Sequence, residues 1–181
     1  SPKSLIAEAF RSIRTNLQFI DGSEGSKIIA VTSTVASEGK TFVTINLAGI
    51  IAFSEKKVIV LDLDLRKPKI HLGFNFENSK GISTILSSKD SVEDCIQKST
   101  LKNLDVITAG PIPPNPSELI ISKKMDDMID FLKTKYLVRF LILNFISTPI
   151  LKITSKRPGQ CWIAASFYFP MQKTESKLVK N

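Results

Sequence analysis

The stretch Thr32–Ala48, TSTVASEGKTFVTINLA, decides the fold. Its window Thr34-Val35-Ala36-Ser37-Glu38-Gly39-Lys40-Thr41 lines up with the phosphate-loop pattern GxxxxGK[ST], except that Thr34 stands at the first glycine. The flanks agree with that reading. KIIAVTS before it is a short β-branched run, expected as a buried strand, and an apolar segment from Lys40 to about Phe53 follows as a helix. In such a strand–loop–helix, backbone N–H groups and the helix N-terminus cradle a phosphate, here from Ala36 through Ser37, Glu38, Gly39, Lys40 and Thr41 to Phe42. Lys40 would reach the phosphate oxygens and the Thr41 hydroxyl would enter a Mg²⁺ shell. The second glycine matters more than the first, because Gly39 stands where a side chain would meet the phosphate. A chance GKT triplet in a turn is the plainer alternative, but it would not come with this strand and this helix.

One βα unit downstream, KKVIVLDLDLRKP reads as a second buried strand ending in acids. Two strands joined through a helix imply a parallel sheet. Ligands of open α/β sheets bind outside the carboxyl ends of the strands. Asp62 and Asp64, two apart, would project to one side of a strand, where they could hold Mg²⁺ and accept a proton from an attacking hydroxyl. Arg66 could steady a phosphate or a carboxylate. A lone DxD is also the mark of a solvated turn; its place after four apolar residues and a phosphate loop gives it weight.

The rest of the pattern is α/β. SPKSLIAEAFRSIRTNLQFI has helical spacing and is expected as an amphipathic helix over 2–19. Short helices are expected at GISTILS and VEDCIQK, a strand at LDVITAG, and an ordered proline loop at PIPPNPS. Ser117 is the expected N-cap of a helix lined by Ile120, Ile121, Met125, Met128 and Leu132. LVRFLILNFI reads as a further strand, exposed to aggregation if it fails to dock. Beyond Pro149 the periodicity dissolves, so a domain over 1–150 and an atypical basic tail over 151–181 are expected.

Bulk composition narrows the class. The 181 residues are 43% hydrophobic, and no apolar run is long enough to span a bilayer. Cys95 and Cys161 lie far apart with no CxxC spacing, which suggests a reducing compartment, and the single His71 excludes a metal site built on several imidazoles. No signal-peptide pattern opens the chain, and its first residue, Ser1, is the expectation for a segment of something longer. The formal charge is +8, yet residues 1–134 carry 17 Lys+Arg against 16 Asp+Glu; the excess lies in residues 135–181, with 8 basic residues against Glu175 alone.

Four segments, EAFRSIRTNLQF, SEGKTFVTINLA, VIVLDLDLRKP and GPIPPNPSELI, occur in the order found in the bacterial tyrosine kinases (BY-kinases) of capsule and exopolysaccharide assembly, which the chain resembles from about Ser4 to Tyr136. The resemblance implies a P-loop NTPase-like, doubly wound parallel sheet with helices on both faces, binding ATP and Mg²⁺ and phosphorylating tyrosines, largely in a neighbouring subunit. It makes Lys40 the phosphate holder, Thr41 and Asp64 metal ligands, and Asp62 the base for the tyrosine hydroxyl. Glu8, Arg11 and Arg14 match an ExxRxxR motif that supports ring-like self-association; at i, i+3, i+6 they would otherwise read as a solvated charged face. The implied partner is a membrane-spanning activator or polysaccharide co-polymerase domain, fused or separate, which would place the chain in the cytoplasm against the inner face of the plasma membrane. MinD/ParA-type ATPases share the fold, but their loop carries an extra lysine where this chain has Val35.

The family pattern then breaks. A third apolar strand should end in Asp-Thr-Pro-Pro; here LVRFLILNFISTP puts Ser147 at the aspartate position, with Asn144 the next candidate. Losing that charge would weaken the metal site. A tyrosine-rich tail is also missing, Tyr136 and Tyr168 being the only tyrosines. With the jump in charge, these changes point to a coding sequence altered near residue 136 by frameshift, truncation or recombination, and to a sheet incomplete at its C-terminal end. The basic tail is then not a selected nucleic-acid patch, and no nucleic-acid partner is expected. Two functions stay open: an ATP-dependent tyrosine kinase, or a catalytically weak nucleotide-binding interaction module of the same family.

Overall fold

The computed structural model describes residues 5–20, 26–32, 39–142 and 161–166. Helix α1 (Leu5–Ile20) leads to β1 (Lys27–Thr32), α2 (Lys40–Ala52) and β2 (Val58–Asp62). Two one-turn helices follow, α3 (Ile70–Phe74) and α4 (Ile82–Leu86), then a 3₁₀ turn at Glu93–Cys95, β3 (Gln97–Lys98) and β4 (Leu104–Ile107). Helices α5 (Pro116–Ile120) and α6 (Lys123–Lys135) precede β5 (Val138–Ile142), and β6 (Cys161–Ser166) comes last.

The sheet order is β3-β4-β2-β5-β1-β6, parallel throughout except for the two-residue antiparallel edge strand β3. Consecutive strands β1 and β2 are therefore not neighbours. β5 lies between them, with Ile28 and Ile59 both level with Arg139, and Ile29 and Val60 both level with Phe140. Because side chains alternate along each strand, one face of the sheet carries Ile29, Val31, Val58, Val60, Val138 and Phe140 against α1 and α2. The other carries Ile28, Ala30, Ile59 and Leu61 against Ile82 of α4 and Met125, Ile129 and Leu132 of α6. Both faces are covered, which explains why these strands read as unbroken apolar runs. Helix α2 is apolar nearly all round because it is packed between the sheet and α1, where the Phe10 ring meets Phe42 at 6.1 Å, tilted 59°.

Three expectations change. VEDCIQK forms a single 3₁₀ turn and then β3 rather than a helix. The Ser91 hydroxyl donates to Asp94 and accepts the Asp94 amide, which closes one turn, and the chain leaves it extended at Ile96. Ser117 is not the cap of one long helix. Asn115 takes that place for α5, and the chain breaks at Ser122, whose hydroxyl donates to the Leu119 carbonyl at 2.7 Å before α6 begins. Residues 161–166, expected in a tail without pattern, form β6 and pair with β1 along its whole length.

Strand β5 carries the sequence's strangest local choice. Arg139, between apolar Val138 and Phe140, is completely buried. Taking a guanidinium out of water costs several kcal/mol before any pairing offsets it. Around it the packing is tight, with Phe140, Ile59 and Ile28 all at 0% exposure.

Truncating Phe140 to Ala removes the ring that fills the α2 side of the middle strand, and we expect a loss of about 3–5 kcal/mol in urea unfolding. Phe53→Ala, at a ring 75% exposed beyond α2, is expected to stay within about 0.5 kcal/mol of the parent.

Candidate nucleotide site

Gly39 opens α2 with φ 86° and ψ 14°, a left-handed conformation that L side chains adopt at a cost. Among the described residues, and apart from its two chain neighbours, no protein atom lies within 4 Å of where a Cβ would sit. The glycine is thus required for backbone shape, and no described residue fills the space beside it. Lys40 and Thr41 follow as the first residues of a 13-residue helix, so the positive end of the helix dipole lies at this glycine. Lys40 is buried and Thr41 half-buried. Phe42 is 54% exposed and leans on Phe10. Ala36, Ser37 and Glu38 lie outside the described residues.

Asp62 closes β2 level with Ile142 of β5, and Val31 of β1 is level with the same residue. Two strand spacings put the end of β1, where the phosphate loop departs, about 10 Å from Asp62. The two acids do not share a strand face as their spacing suggested, because β2 stops at Asp62 and Asp64 belongs to the turn beyond. Asp62 is 1% exposed. Its Oδ1 accepts the Asp64 amide at 3.2 Å and its Oδ2 the Ile70 amide at 3.1 Å, so one carboxylate fastens both ends of the turn that leads into α3. Asp64 is half-buried and accepts the Lys67 amide at 3.0 Å. Burial pushes the Asp62 carboxyl up to about 6, against the pull of the backbone amides of Ile70, Asp64 and Lys69 and helped by the nearby Asp64 charge.

Arg66 reaches across to the proline loop, where its Nη2 donates to Ser117 Oγ at 3.2 Å. The pairing ties the acidic turn to the segment PNPS, a link no spacing rule could supply. That loop is anchored in turn by Asn78, which donates to the Gly110 carbonyl at 2.9 Å and accepts the Gly110 amide at 2.8 Å. The position Ser147, expected where the family has its third acid, lies outside the described residues, as does Asn144. Among the described residues no three His, Cys, Asp or Glu side chains form a ready-made metal cage. Mg²⁺ needs no such cage, since one or two carboxylates and the phosphates themselves suffice. The glycine turn at Gly39, the start of α2 and the acids at the end of β2 fit an ATP·Mg²⁺ pair.

In the first half of α1, Arg11 Nη1 lies 2.6 Å from Glu8 Oε1, with both side chains about half exposed. Arg14 is half-buried, and its Nε meets no hydrogen-bond partner among the described residues. Tyr136, by contrast, is closed off: it is 6% exposed and its hydroxyl donates to Asp105 Oδ2 at 2.6 Å. Burial, reinforced by the Asp105 contact, raises its phenol above the ordinary range.

A family model described as an AAA domain matches residues 26–136. The tyrosine-protein kinase YwqD of Bacillus subtilis is 46% identical over 127 residues, covering 70% of this chain and 54% of its own. The chain therefore spans about half the length of that relative. Among solved structures, the chimerical protein CapA2B2 superposes with a TM-score of 0.79 at 36% identity, over 91% of this chain and 73% of that one. The kinase domain of the Escherichia coli tyrosine kinase ETK gives 0.77 at 32% identity, over 82% and 59%. MinD from Pyrococcus horikoshii gives 0.60 at 21% identity, over 72% and 54%, a likeness of fold alone.

The Asp62 shift has a sign that can be tested. Its folded pKa of about 6 lies above the ordinary 3.8, so the folded chain holds more protons between those values and stability falls as pH rises through that window. From pH 4 to pH 7 we expect Asp62→Asn to gain about 2 kcal/mol relative to the parent in urea unfolding, since the amide does not titrate. A difference that stays constant with pH would refute the assignment.

With the fold, the glycine turn and the matched relatives together, the chain belongs to the bacterial tyrosine-kinase (BY-kinase) family.

Proposed function

We propose that the chain is the catalytic segment of an ATP-dependent protein-tyrosine kinase acting in capsule or exopolysaccharide assembly. The observation that carries this reading is the buried Asp62 carboxylate at the end of β2, two strand spacings from the end of β1 where the phosphate loop departs. Bound ATP with Mg²⁺ supplies the transferable phosphoryl group and the charge that offsets it. Lys40 holds phosphate oxygens at the α2 N-terminus, and the Thr41 hydroxyl and Asp64 carboxylate hold the metal. Asp62 takes the proton of the attacking tyrosine hydroxyl. Its oxygens accept backbone N–H groups of the turn, which hold the carboxylate in place. A carboxyl poised near pH 6 is a better base at neutral pH than an ordinary aspartate.

Tyr136 is buried and engaged, which favours tyrosines of other chains as acceptors. Glu8, Arg11 and Arg14 on α1 would bring such chains together in a ring. A membrane-spanning activator would hold the assembly at the inner face of the plasma membrane; no described helix is itself long and apolar enough to cross. The second reading, a nucleotide-binding module of low activity, is favoured by Ser147 at the third acidic position.

Incubation with ATP, Mg²⁺ and a tyrosine-containing copolymer should give phosphotyrosine that Lys40→Met lowers at least a hundredfold. A melting temperature raised by ATP·Mg²⁺ without phosphotyrosine would replace the kinase with the binding module, and no ATP affinity in folded protein would remove both. If the third acid limits turnover, Ser147→Asp raises the phosphotyrosine rate tenfold or more; an unchanged rate places the limit elsewhere.

A further inference from the structure

The opposite end of the sheet, where β2, β4 and β5 begin, holds a recess of about 520 Å³. Its mouth carries Lys57, Lys98, Lys102 and Lys135, with Asp105 as the one acid of the lining. That acid is already neutralised: Lys98 Nζ lies 2.6 Å from Asp105 Oδ2, the same oxygen that receives the Tyr136 hydroxyl. Lys135 is shared with Glu93 at 3.6 Å and rides over the Phe131 ring. Lys57 and Lys102 make no ion pair among the described residues, and the Asn103 side-chain amide makes no hydrogen bond there. The recess thus presents unspent positive charge and an amide donor around a volume suited to a small ligand.

We propose that this recess is a second anion site, distinct from the phosphate loop, that takes a small soluble oligophosphate. The lining contains no arginine, so no planar fork imposes a bidentate geometry on the anion. Compact ammonium groups on flexible stems suit instead an anion with oxygens on every side, such as inorganic pyrophosphate. The walls are rigid where they must be. Val58 N–H bonds to the Asn103 carbonyl at 2.8 Å, and Leu137 N–H to the Lys57 carbonyl at 3.0 Å, so the lysines project from the joints between three strands. A ligand held there would brace those joints, roughly 15 Å from the nucleotide end along β2.

Pyrophosphate, titrated without Mg²⁺ into the parent and into Lys40→Met, tests this apart from the kinase reading. Both proteins should show a raised melting temperature and shifted amide resonances over residues 98–105. In Lys57→Gln/Lys102→Gln, whose unliganded melting temperature should match the parent's because both side chains are exposed, the affinity at this end should fall at least tenfold. The proposal fails if the double variant binds as well as the parent or if shifts are confined to Gly39 and Lys40. It fails too if sodium sulfate at equal ionic strength produces the same response. Lysine-dependent sedimentation with phosphatidylglycerol vesicles, without any response to pyrophosphate, would overturn it in favour of a lipid headgroup.

Discussion

A carboxylate sealed from water at the end of β2 holds the site end of this molecule together. Asp62 receives the amides of Asp64 and Ile70, so the seven residues between β2 and α3 are closed around its two oxygens. Within that turn, Asp64 fixes Lys67, and Arg66 extends to Ser117 on the far loop. Nothing in the turn is regular secondary structure, yet each of these bonds is directional. Burial raises its pKa, so ionising this carboxyl carries a desolvation cost that an exposed aspartate does not bear. Such a conflict between stability and chemistry is the usual mark of a functional site.

The sheet shows what a sequence can and cannot disclose. KIIAVT and VIVLD are buried on both faces, and their continuous apolar runs announced it. The glycine at the head of α2 was legible too, since GKT between a strand and an apolar helix leaves few alternatives; its φ of 86° gives the physical reason. Strand order was not legible. Nothing local in VRFLI says that it slots between β1 and β2, because that follows from which crossovers the helices permit. Nor could composition reveal β3, two residues long, or the break between α5 and α6, where one serine hydroxyl competes with the helix. The parity argument for Asp62 and Asp64 assumed the strand ran on for two more residues. Hydrogen bonds to Asp62 end it sooner.

The two ends of the sheet are chemically unlike. At the carboxyl end the strands deliver acids and a helix N-terminus, the materials for holding phosphate through a metal. At the amino end they deliver lysines around a closed pair, Tyr136 and Asp105, beside the C-terminal end of α6. Tyr136 belongs to the amino end: it lies two residues before β5, its ring packs into the core below α6, and its hydroxyl is committed.

The position of β5 also bears on how the polypeptide is made. β1 and β2 share no hydrogen bonds; each pairs with Val138–Ile142 instead. During synthesis, residues 27–62 leave the ribosome without the strand that joins them, and Asp62 is separated from its partner Ile142 by about 80 residues, roughly 4–16 s of translation. Through that interval the apolar faces of both strands await a spine that does not yet exist, which makes the nascent chain, more than the finished one, the form that needs a chaperone.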